Sequence, residues 1–262
     1  MSAACHELRV CVLASGSSGN CIHVESATTA VLIDAGLSAK ETFRRMAAAG
    51  LEPAKLRAVC VSHEHSDHVA GLAMLHRRHG LQLYANGDTA RAIRGAGHLE
   101  WNLFSSGSPF AIGDIDILPF ALPHDAYDPV GFVLSRGTAR IGIATDLGMP
   151  TQLARERLRG CQLVVLEANH DEMLLNSSIR PWALKQRILG RQGHLSNATA
   201  AALLADIAGD TLQQVFLAHL SRECNNLDLA LLTVRRHLAA AGLDRIRVLP
   251  THPDKPSEFA EC

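Results

Sequence analysis

His63-Glu64-His65-Ser66-Asp67-His68 packs His, His, Asp and His into six consecutive positions. The run before it, residues 57–62, is apolar and rich in β-branched side chains, as in a buried strand. The run after it, residues 69–75, begins a helix. The hexapeptide is therefore a loop at a strand exit. In extended backbone, residues two apart project to the same side, so His63 and His65 can share one ion. Asp67 and His68 fall at the start of the next helix, turned toward a second ion nearby. Imidazoles with a carboxylate favour Zn²⁺, with Mn²⁺ and Fe²⁺ as alternatives. The competing reading, a solvated loop that happens to be rich in histidine, fares poorly against this density of ligand types.

Working outward, the spacing predicts strands at 9–14, 21–25, 30–34, 57–62, 81–84, 114–122, 130–135 and 139–145, with helices at 39–49, 70–79 and 89–94. Gly, Pro, Asn and Asp punctuate the gaps. The last third alternates: helix 151–159, strand 162–167, helices 181–189 and 197–207, strand 214–218, helix 227–241, strand 245–249. Two mixed sheets face to face, with helices on both outer faces, bury all these runs. The expected architecture is thus α+β, a four-layer αββα sandwich. No repeat or linker divides the chain, so residues 1–262 read as a single domain. The polar tail 251–262 is expected to fray.

Composition sets limits on function. The chain is 47% hydrophobic and 19% charged, enough to bury a sizeable core. Its 25 Lys and Arg against 26 acids give a formal charge of −1, so any polyanion must be gripped locally rather than by a global field. Seven scattered cysteines (Cys5, Cys11, Cys21, Cys60, Cys161, Cys224, Cys262) form no C-x-x-C pair. That argues against a disulfide framework or a cysteine zinc site, and for a reducing compartment. The longest apolar run near the start, 10–14, is too short for a signal peptide or membrane span. A cytoplasmic protein with no membrane partner is the expectation, and a homodimer is compatible with the sequence.

The H-x-H-x-D-H signature resembles the metallo-β-lactamase superfamily. That resemblance demands an upstream Asp at a strand end, then a His, an Asp and a His downstream, each ending a strand. Val31-Leu-Ile-Asp34-Ala-Gly36, Pro123-His124-Asp125, Ala144-Thr-Asp146 and Leu217-Ala-His219 meet the demand in order. By the resemblance, Asp34 holds the ligand loop, His124 completes the His63 and His65 set, Asp146 bridges both ions, and His219 joins Asp67 and His68. Two ions then generate a bridging hydroxide at neutral pH and neutralise charge on the attacked group. Hydrolysis is the implied chemistry.

Which bond is cut must come from residues outside that set. Ser15-Gly-Ser17-Ser18-Gly-Asn20 offers backbone N–H groups and hydroxyls to an anion, or is an ordinary turn. Arg222 and Asn225 lie just beyond His219, and an Arg there suits bidentate phosphate binding. Glu167-Ala-Asn-His170 and Gly193-His194-Leu-Ser-Asn197 resemble paired segments of RNase Z-type nucleases, where the glutamate orients a histidine that protonates the leaving oxygen. By position these are Glu167 and His194, although Leu166 stands where that family carries a further histidine. As a set, S-G-S-S-G-N, L-I-D-A-G, H-E-H-S-D-H, T-D-L-G, E-A-N-H-D, G-H-L-S-N and L-A-H-L-S-R-E-C-N most resemble the YycJ/WalJ branch of the superfamily.

The branch implies a nucleic-acid substrate, DNA favoured, and 5′-to-3′ exonuclease action on the double strand. Arg180, Lys185, Arg187 and Arg191 offer a local basic face, or merely a solvated helix face. The rivals are a cyclic phosphodiesterase, a glyoxalase II-like thioesterase, a flavodiiron-like redox module and a silent binding protein. A thioesterase needs no proton donor such as His194, because a thiolate leaves readily. A flavodiiron-like site would shift the ligands toward carboxylate.

Overall fold

The computed structural model describes residues 7–95 and 97–262. Its first half runs β1 (Arg9–Ala14), β2 (Cys21–Glu25), β3 (Ala30–Ile33), α1 (Ala39–Ala48), β4 (Leu56–Cys60), α2 (Ser66–Val69), α3 (Leu72–His79), β5 (Gln82–Asn86), α4 (Gly87–Ala92) and β6 (Trp101–Phe104). The second half runs β7 (Phe110–Ile112), β8 (Ile115–Ala121), β9 (Val130–Arg136), β10 (Ala139–Ala144), α5 (Gln152–Leu158), β11 (Leu163–Glu167), α6 (Glu172–Ser177), α7 (Trp182–Leu189), α8 (Asn197–Ile207), β12 (Gln214–Ala218), α9 (Leu227–Ala240) and β13 (Arg247–Pro250). The chain ends in β14 (Ala260–Glu261), which returns to the first half.

These strands make two seven-stranded sheets, ordered β14-β1-β2-β3-β4-β5-β6 and β13-β12-β11-β10-β9-β8-β7. Each sheet is half antiparallel and half parallel: β14 to β3 and β7 to β10 pair antiparallel, while β3 to β6 and β10 to β13 pair parallel. Period-2 alternation explains how one apolar run serves two cores. On β1, Val10 and Val12 face the layer between the sheets, and Cys11 and Leu13 face the helices. On β11, Leu163 and Val165 point between the sheets, whereas Val164 and Leu166 point at the opposite helix layer. Met46 of α1 and Leu72 and Leu75 of α3 cover the first sheet. Ala154 of α5, Leu203 and Leu204 of α8 and Val234 of α9 cover the second. Full burial of each large aliphatic or aromatic side chain contributes about 1.5–3 kcal/mol. The result is the four-layer αββα sandwich expected from the sequence.

Two expectations need correction. The tail 251–262 is not frayed: β14 pairs with β1 through Arg9↔Glu261 and Val10↔Ala260, and Ser257 exchanges bonds with Val12 (Ser257 N–H to Val12 O and Val12 N–H to Ser257 Oγ, each 2.9 Å). The tail caps an otherwise open sheet edge through backbone bonds, which a hydrophobicity pattern cannot reveal. The helix expected at 70–79 begins at Leu72 as α3, and the motif residues Ser66 to His68 lie in a separate one-turn helix, α2. Gly71 sits at the break, where a Cβ would lie 2.0 Å from the Leu37 carbonyl oxygen. β6, β7 and α6 were not anticipated, being short and weakly patterned.

Among the described cysteines, Cys11, Cys21, Cys60, Cys161, Cys224 and Cys262 are unpaired. Cys5 lies outside the described residues. Among the described residues, no helix is long and apolar enough to cross a membrane.

Candidate metal centre

The chemistry gathers at one end of the sandwich, beyond the C-terminal ends of β3, β4, β8, β10, β11 and β12. Parallel strands entering from both sheets bring these ends together, as in other open sheets that bind ligands at strand carboxyl ends. Three loops are sewn to one another by main-chain bonds: Asn20 N–H to Asp67 O (2.7 Å), Ala35 N–H to His68 O (2.7 Å) and Gly36 N–H to Asn20 O (2.9 Å). Gly36 is required there, since a Cβ would lie 1.7 Å from the Asp67 carbonyl oxygen.

The ring nitrogens of His63, His65 and His124 converge in one group, and Asp67, His68 and His219 in another. Asp146 stands between them: Oδ2 is 3.1 Å from His68 Nε2, and Oδ1 is 3.1 Å from His219 Nδ1 and 3.7 Å from His124 Nε2. Outer partners set the orientation of each ring. His68 Nδ1–H donates to Asp34 Oδ2 (2.8 Å), and His124 Nδ1–H donates to the Gly193 carbonyl (3.1 Å). Ser62 donates its hydroxyl to Asp34 Oδ2 (2.8 Å) and accepts from His63 Nδ1–H (2.9 Å). Asp34 thus holds one ligand-type histidine directly and another through Ser62. His63, His68 and His124 all turn Nε2 inward, whereas His65 presents Nδ1, 3.1 Å from His63 Nε2.

Glu167 does more than the sequence suggested. It is fully buried, and Oε1 accepts from both His194 Nδ1–H (2.6 Å) and His219 Nδ1–H (2.9 Å). Its Oε2 accepts the backbone N–H groups of Leu147 (3.1 Å) and Leu195 (3.0 Å). One carboxylate therefore orients His194 and a second histidine of the cluster. Leu166, where RNase Z has its histidine, faces the helix-covered core instead.

Among the described residues, only Asp34 (φ 63°) and His219 (φ 55°) are non-glycines in the left-handed region. His219 is clamped on both sides, its N–H donating to Ser15 Oγ (2.6 Å) and its carbonyl accepting from Asn169 Nδ2 (2.8 Å). Such conformations persist only where surrounding bonds enforce them, and they concentrate at functional sites.

The donor set fits divalent cations. His124 Nε2, His219 Nε2 and Asp146 Oδ2 are buried, yet none has a hydrogen-bond partner among the described residues. Buried polar atoms of this kind require some partner. The charge balance agrees. Burial opposes protonation of His68, but Asp34 and Asp146 overcome it and raise its pKa to about 10. Burial likewise opposes charge on His219, while Asp146, Asp67 and Glu167 raise its pKa well above the usual value. Around His68 and His219 the carboxylates favour positive charge, which a metal ion would supply, while burial lowers the pKa of His63 and His124 and keeps them neutral, the form that ligates metal.

The expected substrate contacts divide into two groups. Ser15 and Asn20 are buried and serve the scaffold. Asn20 Oδ1 accepts from Gly16 N–H (2.9 Å), its amide donates to Asp67 Oδ2 (3.3 Å), and its Nδ2 lies 3.0 Å from His68 Nε2. Asn225 is likewise committed, through a reciprocal amide pair with Asn197 (2.8 and 3.0 Å) and bonds to the Ala168 and Asn169 carbonyls. Ser17 and Ser18 are exposed, and Arg222 donates to Ser18 Oγ (2.8 Å) on the rim. Lys185 leaves the supposed basic face, because its buried ammonium donates to the Asn176 (2.6 Å) and Ser178 (2.7 Å) carbonyls. Ser62, Asn169 and the Gly193 carbonyl escaped the sequence reading; each flanks a motif residue, and that adjacency was the one signal available.

The family model described as a beta-lactamase superfamily domain matches residues 29–220. The chain is 35% identical over 260 residues to the exodeoxyribonuclease WalJ of Streptococcus pneumoniae serotype 2, covering 95% of this chain and 96% of that one. It is 34% identical to the exodeoxyribonuclease YycJ of Bacillus anthracis, covering 96% and 98%. Its fold is similar to that of the metallo-beta-lactamase fold protein YhfI from Bacillus subtilis, with a TM-score of 0.73 at 16% identity, covering 97% of this chain and 99% of that one. The chain belongs to the metallo-β-lactamase superfamily and, within it, to the family of the WalJ and YycJ proteins.

Proposed function

We propose that this chain is a two-metal phosphodiesterase that degrades DNA from an end, a 5′-to-3′ exonuclease acting on the double strand. That it is a hydrolase follows from its family. The exodeoxyribonuclease names of relatives aligned over nearly the whole chain support the DNA substrate. The observation that carries a phosphodiester is the His194–Glu167 pair. With Nδ1 bound to a fully buried carboxylate and the side chain 21% exposed, His194 is held as a proton donor at the edge of the cluster. A thioesterase has no use for such a donor, because a thiolate leaves unaided.

In this reading His63, His65 and His124 would hold one divalent ion and Asp67, His68 and His219 the other, with Asp146 standing between the two sets. Zn²⁺ is favoured by the imidazole-rich set, with Mn²⁺ and Fe²⁺ as alternatives. When bound, such ions would supply Lewis acidity and lower the pKa of a bound water. His194 protonates the departing oxygen, and Glu167 fixes the tautomer and direction of that histidine. Arg222, beside Ser18 on the rim, grips a flanking phosphate. Asp34, Ser62, Ser15 and Asn169 keep the ligand loops in place. The protein is expected to act in the cytoplasm as one domain.

The test is metal-replete protein incubated with 5′-phosphorylated duplex DNA, single-stranded DNA, RNA, a cyclic nucleotide and a thioester. A 5′-end label should appear at once as mononucleotide, while a 3′-end label shortens in steps. Turnover confined to the cyclic nucleotide or the thioester would overturn the nuclease reading.

A further inference from the structure

Beside the metal centre a pocket of about 600 Å³ opens, lined by His65 and Ser66 of the motif on one side. Val69, Ala73, Ile93 and Leu99 give it an aliphatic part, beside the polar Glu64 and Arg94. Tyr127, 77% exposed, also lines it. Glu64 Oε1 accepts the Tyr127 backbone N–H (3.1 Å), which ties the stretch after His124 to the metal loop. A volume of this size suits a small-molecule fragment, within the roughly 300–1,000 Å³ range of ligand pockets.

We propose that this pocket receives the base of the nucleotide at the DNA end being cut, with Tyr127 stacked on the face of that base. The inference rests on the nuclease reading. The pocket shares His65 with the candidate metal centre, so a nucleoside lodged in it would carry its phosphate toward that centre. A nucleobase is flat, largely apolar on its faces and polar only at its edge. An exposed tyrosine beside aliphatic lining matches the faces. Stacking of this kind tolerates every base. Arg94, exposed on the rim, meets the phosphate of a neighbouring nucleotide. Glu64 is a positioning residue, since it acts through the Tyr127 backbone.

The experiment compares KM for duplexes whose terminal nucleotide carries a base or is abasic, using the metal-loaded enzyme. Wild type should show KM raised roughly ten- to hundredfold for the abasic end, the contribution of one stacked base. It should discriminate little among the four bases. Tyr127→Ala should raise KM for ordinary ends by a similar factor and erase the difference between the two substrates. Ala73→Trp, which fills the pocket from an exposed helix position in its lining, should do the same, with metal content at the wild-type level. Equal KM for both ends in wild type overturns the pocket assignment while leaving the nuclease reading standing, and so do variants that retain the wild-type preference. Failure of wild type to release nucleotides from either end overturns the nuclease reading, and this inference with it.

Discussion

Asp146, His194 and Glu167 are the residues whose replacement separates holding a metal from moving a proton. Asp146 lies between the two His/Asp groups, and its Oδ2 has no hydrogen-bond partner among the described residues. Asp146→Ala should therefore abolish metal loading, read by elemental analysis, and activity together. His194→Ala should keep its metal and slow turnover by roughly 10²–10⁴-fold, the usual contribution of a general acid. Undiminished turnover in metal-replete His194→Ala protein sinks the proton-donor role. Glu167 holds both His194 and His219, so Glu167→Ala should do both kinds of damage. Metal affinity should fall on the order of 10–100-fold, as for other outer-sphere partners, on top of slowed turnover. An affinity matching wild type in a metal titration counts against its hold on His219.

At the scale of elements, short irregular pieces position the site as much as the regular strands do. One-turn α2 carries Ser66, Asp67 and His68, and the break at Gly71 lets it dock beside the Ala35 and Leu37 carbonyls. The hairpin of α6 and α7 leads into Gly193 and His194, braced by the Lys185 ammonium. The C-terminal tail closes the β1 edge, and there Ser257 Oγ satisfies the Val12 N–H. Ser257→Ala strands that buried donor and should cost about 1–3 kcal/mol, measured as a lower denaturant midpoint at unchanged slope. A midpoint equal to wild type would return the tail to the frayed state expected from its composition.

For the whole molecule, the ions and the fold should stabilise one another, because the ligands come from strand ends of both sheets. Asp67 and His68 follow β4 of the first sheet, while His124, Asp146 and His219 follow β8, β10 and β12 of the second. An ion held by such a set binds the folded state and not the unfolded chain. Stripping it with a chelator should lower Tm on the order of 10 °C, from about 4 kcal/mol of linkage at a thousandfold excess over Kd. Added Zn²⁺ should restore it, by scanning calorimetry. A Tm indifferent to both treatments argues against metal at this site.

Much of this was legible in the chain alone, for a physical reason. Strand period, apolar runs and the H-x-H-x-D-H spacing are local properties, so the layered fold and the motif's share of the His/Asp cluster are written in short segments, and the family resemblance added His124, Asp146 and His219. The same locality misled elsewhere. Ser15, Asn20 and Asn225 look like surface donors in sequence, yet each is buried and spent on a neighbouring loop. What only tertiary structure decided is which nitrogen of each histidine faces inward, that one glutamate steers two histidines, and that a polar tail completes a sheet. All three depend on backbone carbonyls and N–H groups brought close from distant parts of the chain. Those groups are identical in every residue, so no reading of side-chain types can tell where they will meet.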